Sequence, residues 1–170
     1  MSVCQSFAPI EPAFMRVLVL GSMPGVASLT EQAYYAHPRN AFWPIMASLL
    51  AVEWPSDYAA RYTLLQQRQV GLWDVLASCE RPGSLDSSIK THSIQINDIP
   101  GLVARHQECR AIALNGQTAA ALFKRHVLSS NSGLFAALKV VELPSTSPAN
   151  ARLSLADKVS IWQDKIANFL

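Results

Sequence analysis

Ser22 stands just past a short apolar run, Arg16-Val-Leu-Val-Leu20, and one glycine, Gly21, a place where a strand can hand a nucleophile to a loop. The rest of a serine hydrolase is missing. The spacing around Gly21-Ser22 is not that of a nucleophile elbow, and no Asp…His pair follows in order near the end of the chain. His126, the last histidine, falls on an amphipathic stripe with Leu122, Phe123 and Val127, where packing is its natural role. The three cysteines, Cys4, Cys79 and Cys109, are far apart, odd in number and without CxxC spacing. That argues against a disulfide framework, a zinc site or an iron–sulfur cluster. Dinucleotide binding, NTP hydrolysis and zinc hydrolysis lack their GxGxxG, Walker and HExxH signatures. What remains is a set of mostly neutral, polar segments: Gly21-Ser-Met-Pro-Gly25, Tyr34-Tyr-Ala-His-Pro-Arg-Asn-Ala-Phe-Trp43, Asn115-Gly116 and Pro144-Ser-Thr-Ser-Pro-Ala-Asn150.

The elements between these segments predict how they are held. Arg16–Leu20 and Ala111–Leu114 are continuous apolar runs of the kind found in strands buried on both faces. Val70–Leu76 reads as a strand entering a polar loop at 78–93, and Val140–Leu143 as the last strand. Helical spacing appears in Phe42, Ile45, Met46, Leu49 and Leu50, with Pro44 tolerable in the first turn. Further helices are expected over Ser56–Val70, after a cap at Asn97 or Asp98, and after Asn115-Gly116. A final one is capped by Ser154 with Asp157 three residues on. Residues 1–14, broken by Pro9 and Pro12, read as an irregular arm, and 21–40 as one long loop of a length that is usually functional.

Strands alternating with helices imply right-handed crossovers and a mainly parallel sheet, here a three-layer αβα sandwich around four strands. Ligands of such sheets bind beyond the carboxyl ends of the strands. Those ends carry Gly21–Gly25, Asp74, Asn115 and Pro144–Ser147, so the site is expected on that edge. The chain of 170 residues fits one domain, with no repeat and no linker. No apolar run approaches the roughly 20 residues that cross a bilayer, and no basic-then-apolar leader opens the chain, so a cytoplasmic protein off the membrane is expected. The net charge of +2 is too small to identify a partner, but from Cys109 to Ala156 the only acid is Glu142, against Arg110, Lys124, Arg125, Lys139 and Arg152. A face of that kind suits a phosphate backbone, and equally a solvated surface.

Two of the polar segments are specific in combination. Gly21-Ser-Met-Pro-Gly25 followed by His37-Pro-Arg-Asn-Ala-Phe-Trp43 resembles the first motif region of the uracil-DNA glycosylase superfamily, in particular its mismatch-specific uracil and thymine glycosylases. Leu143-Pro-Ser-Thr-Ser147 is similar to their second motif, a Pro-Ser loop just before the last helix. The branch matched best is that of the hypoxanthine-DNA (deoxyinosine) glycosylases, and the resemblance spans about residues 15–169.

The resemblance implies a monofunctional glycosylase that hydrolyses the N-glycosidic bond of a deaminated base, most naturally deoxyinosine, flipped out of DNA. It implies no cofactor, no metal, no lysine-derived lyase step and no obligate protein partner. The chemistry suits a site with few charges. Positive charge builds on the sugar and negative charge on the leaving base, so the protein must hold the base, orient a water and donate hydrogen bonds. By resemblance Asn40 is the catalytic residue, although an Asn there would also cap the following helix. Many relatives carry a water-activating Asp or Asn where this chain has Met23. Tyr35 corresponds to an aromatic that stacks on the base, Asn115 to an Asn that reads its edge, and Ser22 and Met23 lie in the base-binding loop. Gly25, His37, Ser145, Thr146 and Ser147 are expected along the DNA backbone, small hydroxyls near a helix start being suited to phosphate. Relatives push a bulky wedge from the second loop into the stack, where this chain offers only Pro148, Ala149 and Asn150. The alternatives are uracil as main substrate, a non-catalytic lesion binder made thinkable by Met23, and a small-molecule hydrolase using Ser22.

Overall fold

The structure, a computed structural model, describes residues 3–170. Four parallel strands, β2 (Val17–Gly21), β3 (Val70–Asp74), β6 (Ala111–Asn115) and β7 (Lys139–Leu143), form the central sheet in the order β3-β2-β6-β7. Successive side chains of a strand point to opposite faces, and the core divides accordingly. Val17 and Val19 of β2, with Ala111 and Ala113 of β6, pack on α2 (Phe42–Leu50), α3 (Tyr58–Gln67) and α7 (Leu155–Ile166). Leu18 and Leu20, with Ile112 and Leu114, face α4 (Ile99–Ala104), α5 (Gln117–Phe123) and α6 (Ser132–Phe135). Every residue of β2 and β6 is buried, which is why those runs lack polar alternation. The three-layer αβα sandwich expected from the sequence is the observed fold.

From β2 the chain crosses to β3 on one side and later to β6 on the other, so the direction of winding reverses between β2 and β6. At such a switch point the loops leaving adjacent strands diverge and open a crevice. Register aligns the strand ends there: Gly21 opposes Asp74, and Asn115 opposes Leu143.

Caps follow the sequence. Asp57 and Asp98 accept backbone N–H groups at the starts of α3 and α4, and Ser154 and Asp157 form a reciprocal capping box on α7.

Some expectations need correction. The arm at 1–14, whose first two residues lie outside those described, is not irregular throughout. Val3–Gln5 forms β1, antiparallel to β4 (Leu76–Glu80), and a second small sheet is completed by β5 (Gln95–Ile96). Ile10 bridges to Leu72, and Trp73 and Tyr34 donate to the carbonyls of Phe7 and Ala8, so the arm is tied along its length. The loop at 21–40 contains α1 (Val26–Glu31), six residues and too short to show a period. Much of 78–93 is ordered as the end of β4 and two 3₁₀ turns, Asp86–Ser88 and Thr91–Ser93. His126 is exposed rather than packed, because a π turn over Lys124–Leu128 widens the helix after Phe123.

Candidate active site

Gly21 ends β2 where a side chain could not be tolerated. A Cβ at this position would lie 2.5 Å from Asp74 Oδ1 and 3.2 Å from the Tyr35 hydroxyl. Its absence lets the carboxyl of the neighbouring strand end and a phenol from the following loop meet over bare backbone. The carbonyls of the loop are drawn back into the protein: Val75 N donates to Gly21 O (2.8 Å) and Leu76 N to Ser22 O (3.1 Å). Arg81, 2% exposed, donates from its guanidinium to the carbonyls of Met23, Pro24 and Gly83. A buried arginine satisfied by carbonyls acts as a rigid brace for the loop it binds. Ser84 Oγ accepts from Val26 N (2.8 Å), joining the 82–88 turn to the start of α1.

The second motif loop is fastened to the first through Asn115. Its side-chain oxygen accepts from Thr146 N (3.0 Å), and its amide nitrogen donates to Thr146 Oγ1 (3.0 Å) and the Tyr35 hydroxyl (3.3 Å). Gly116, at φ +102°, takes a left-handed turn beside it, and a Cβ there would sit 3.0 Å from that of Ser145. Ala41 N donates to Thr146 O (2.9 Å), so the start of α2 is bound to the same loop. Asn40 lies at this junction. Its N–H donates to His37 O, closing a turn, and its Oδ1 accepts from Phe42 N at 3.0 Å, the first N–H of α2. Tyr35, at φ +54°, stacks one ring face on Phe42 with centroids 4.1 Å apart.

These loops enclose one cavity of about 700 Å³, large enough for a nucleobase and its sugar. Its wall is neutral apart from Asp74, Asp86 and Arg152. Asp74 is 4% exposed, its Oδ2 is buried without a hydrogen-bond partner, and its carboxyl is pushed up to about 7. Burial is the main cause, the Asp86 carboxylate adds to it, and the Arg81 charge opposes it. Burial and the Asp74 charge likewise raise the Tyr35 phenol, which keeps its proton. Among the described residues no group of three or more His, Cys, Asp or Glu is placed to hold a metal ion.

Comparison with known proteins gives this geometry a family. The model of the uracil DNA glycosylase superfamily matches residues 9–165. The chain belongs to the uracil DNA glycosylase superfamily. It is 34% identical over 148 residues to a hypoxanthine DNA glycosylase of Methanosarcina acetivorans, covering 86% of this chain and 87% of the relative. It is 32% identical over 114 residues to one of Methanosarcina barkeri, covering 66% of this chain and 71% of the relative. The solution NMR structure of a candidate uracil DNA glycosylase from Methanosarcina acetivorans superposes with a TM-score of 0.77 at 28% identity, over 96% of this chain and 98% of that one.

Against the superfamily pattern, the residues singled out from the sequence all line the one cavity: Asn40, Ser22, Met23, Tyr35, Asn115, Gly25, His37, Ser145, Thr146 and Ser147. Their side chains are employed differently. Met23 turns its thioether into an apolar cluster with Cys4, Leu76 and Cys79, so only its backbone is offered to a ligand. Ser22 Oγ donates to Asp86 Oδ1 at 2.8 Å. Thr146 is 1% exposed and Asn115 spends its amide within the protein, so this pair positions the loop. Ser145 and Ser147 are half-buried, each accepting a backbone N–H two residues on, and His37 Nδ1 accepts from Arg39 N, leaving Nε2 to a ligand. Arg81 and Asp86 were not legible, and Asp74 was placed at the edge without a role. The signal for Asp74 was its position, the last residue of a strand paired with Gly21.

Proposed function

We propose that this glycosylase removes deaminated bases from DNA, hypoxanthine foremost, by hydrolysing the N-glycosidic bond of a nucleotide flipped into the cavity. The observation that carries the reading is the position of Asn40 where the two motif loops are stitched together, on the wall of a nucleobase-sized cavity. The names of the two relatives at 32% and 34% identity support hypoxanthine over other deaminated bases.

The bond from Phe42 N holds the Asn40 amide in one orientation, with the oxygen toward the helix. That leaves a second lone pair on Oδ1 and both N–H donors of Nδ2 for water and substrate. The residue at the cap of α2 is Ala41, with no side-chain cap. Asn40 stands one residue before it, and its bond to Phe42 N aims the amide without capping the helix. A water oriented by Oδ1 attacks C1′ as the base departs as an anion. The proton that the water loses passes to solvent, and the freed base takes one up from it. The Tyr35 ring gives the flipped base a surface to lie on. No lysine lies in either motif, so the product is an intact strand with an abasic site. The Ser22 hydroxyl is given to a carboxylate and has no imidazole bonded to it, which weighs against a serine nucleophile.

Oligonucleotides carrying a single hypoxanthine, uracil or xanthine, incubated with the protein and then with alkali, test the reading. Breaks at hypoxanthine that persist in EDTA are expected. Equal or greater cutting at uracil would reassign the main substrate, and binding without cutting would make the protein a lesion binder.

A further inference from the structure

The cavity contains a carboxyl group that the mechanism above does not use. Asp74 closes the floor between Gly21 and Tyr35, buried far more deeply than Asn40. Its backbone carbonyl is bound by Asn97 Nδ2 at 2.8 Å, so the residue is anchored, yet Oδ2 is left buried and unpaired. A carboxylate treated this way loses its hydration and gains nothing in return, which favours the protonated form. The charge of the nearby Arg81 opposes this only in part, and its N–H groups are turned to three carbonyls and not to the carboxylate. The ionisable groups around it are Tyr34 and Tyr35 on the loop after α1, Asp86 on the first 3₁₀ turn and Arg81 after β4. Of these, Asp86 disfavours a negative charge on Asp74 and Arg81 favours it, while burial acts most strongly against it.

We propose that Asp74 is a second catalytic residue, which acts in its protonated form and donates a hydrogen bond to a carbonyl oxygen of the departing base. The inference rests on the glycosylase reading of the cavity. An ionised Asp74 would face the negative charge growing on the leaving base and repel it. A neutral carboxyl instead places a fixed donor where that charge collects, in a dry floor where such a bond is strongest. Hypoxanthine, uracil and xanthine all carry a ring carbonyl that can receive it. The bond remains a hydrogen bond throughout: the proton stays on Asp74, and the base leaves as an anion steadied by it. The carboxyl at about 7 centres the loss of the donor on neutrality, so the donor is complete only at lower pH.

Single-turnover cleavage of inosine DNA from pH 5.5 to 9 provides the test, comparing wild type with Asp74→Asn and Asp74→Ala. Wild type should lose about tenfold in rate per pH unit above neutrality, as expected when an essential acid ionises. Asp74→Asn carries an N–H donor at every pH, so its profile should be flat and should cross above wild type at alkaline pH. Asp74→Ala should be slower by roughly a hundredfold at pH 6, the scale for one preorganised donor. Melting supplies a readout independent of activity. A carboxyl held above its unfolded value of roughly 4 makes the fold less stable as pH rises from there to about 7, so the Tm advantage of Asp74→Asn over wild type should widen across that window. A wild-type rate that climbs through pH 7 to 9, or an Asp74→Asn profile with the wild-type limb, overturns the role of Asp74 while leaving the glycosylase intact. If Asp74→Asn does not fold, the direction of the wild-type limb decides. Absence of cleavage at any lesion and any pH overturns the glycosylase reading and this one with it.

Discussion

Asn40 is asked to do two things with one amide, and the hydrogen bond from Phe42 shows how they combine. Removing the side chain would confuse them, because the lost bond to Phe42 N alone costs about 1 kcal/mol of stability. Serine keeps an oxygen able to accept from Phe42 N but is too short to reach a water above the sugar. Asn40→Ser is therefore expected to melt near wild type and to cleave inosine DNA roughly a hundredfold more slowly or worse under single-turnover conditions, which exclude product release. A variant that folds and cleaves normally would reduce Asn40 to a structural residue before α2. At this scale the sequence was informative wherever residue type and local spacing carried the meaning, as in His37-Pro-Arg-Asn40. It was silent where meaning depends on a neighbour 53 positions away. Asp74 matters because Gly21 leaves room for it, and that pairing exists only in the sheet register.

The strands were legible at the scale of elements because burial on both faces leaves unbroken apolar runs, and the longer helices because of their stripes and caps. The short elements were not. α1 has six residues and no side-chain cap, and β1 has three residues whose partner lies more than 70 positions on. Arg81 looked like one cation in a polar turn, and only the folded loop turns it inward beneath the first motif. The more consequential difference concerns Asn115, which joins β6 to the second motif loop instead of presenting a free amide. Asn115→Ala would leave the buried Thr146 N–H and hydroxyl without partners, at about 1–3 kcal/mol for each unsatisfied group. Chemical denaturation should show that loss directly. Activity should fall with it, because Thr146 O also anchors Ala41 beside the Asn40 amide. A fully stable Asn115→Ala protein that cleaves more slowly would instead assign the amide to the base.

Over the whole molecule, the excess of positive charge in 109–156 is less uniform than the sequence implied. Lys124 is paired with Glu142 at 2.8 Å, the one acid of that stretch, whereas Arg152 lines the mouth of the cavity. If DNA lies across that mouth, Arg152→Ala should reduce the salt dependence of binding by about one phosphate contact, and Lys124→Ala should leave it unchanged. The reverse result would move the footprint to the β7 edge. The proposed function makes one claim for the whole molecule, that it cuts the bond between sugar and deaminated base and no other. Chromatography of the products from inosine DNA, with enzyme in excess, measures that claim most directly. Free hypoxanthine should appear in step with abasic sites, one for one, with the strand unbroken until alkali is added. Bound DNA that yields no free base, or release of the whole nucleoside, would contradict it.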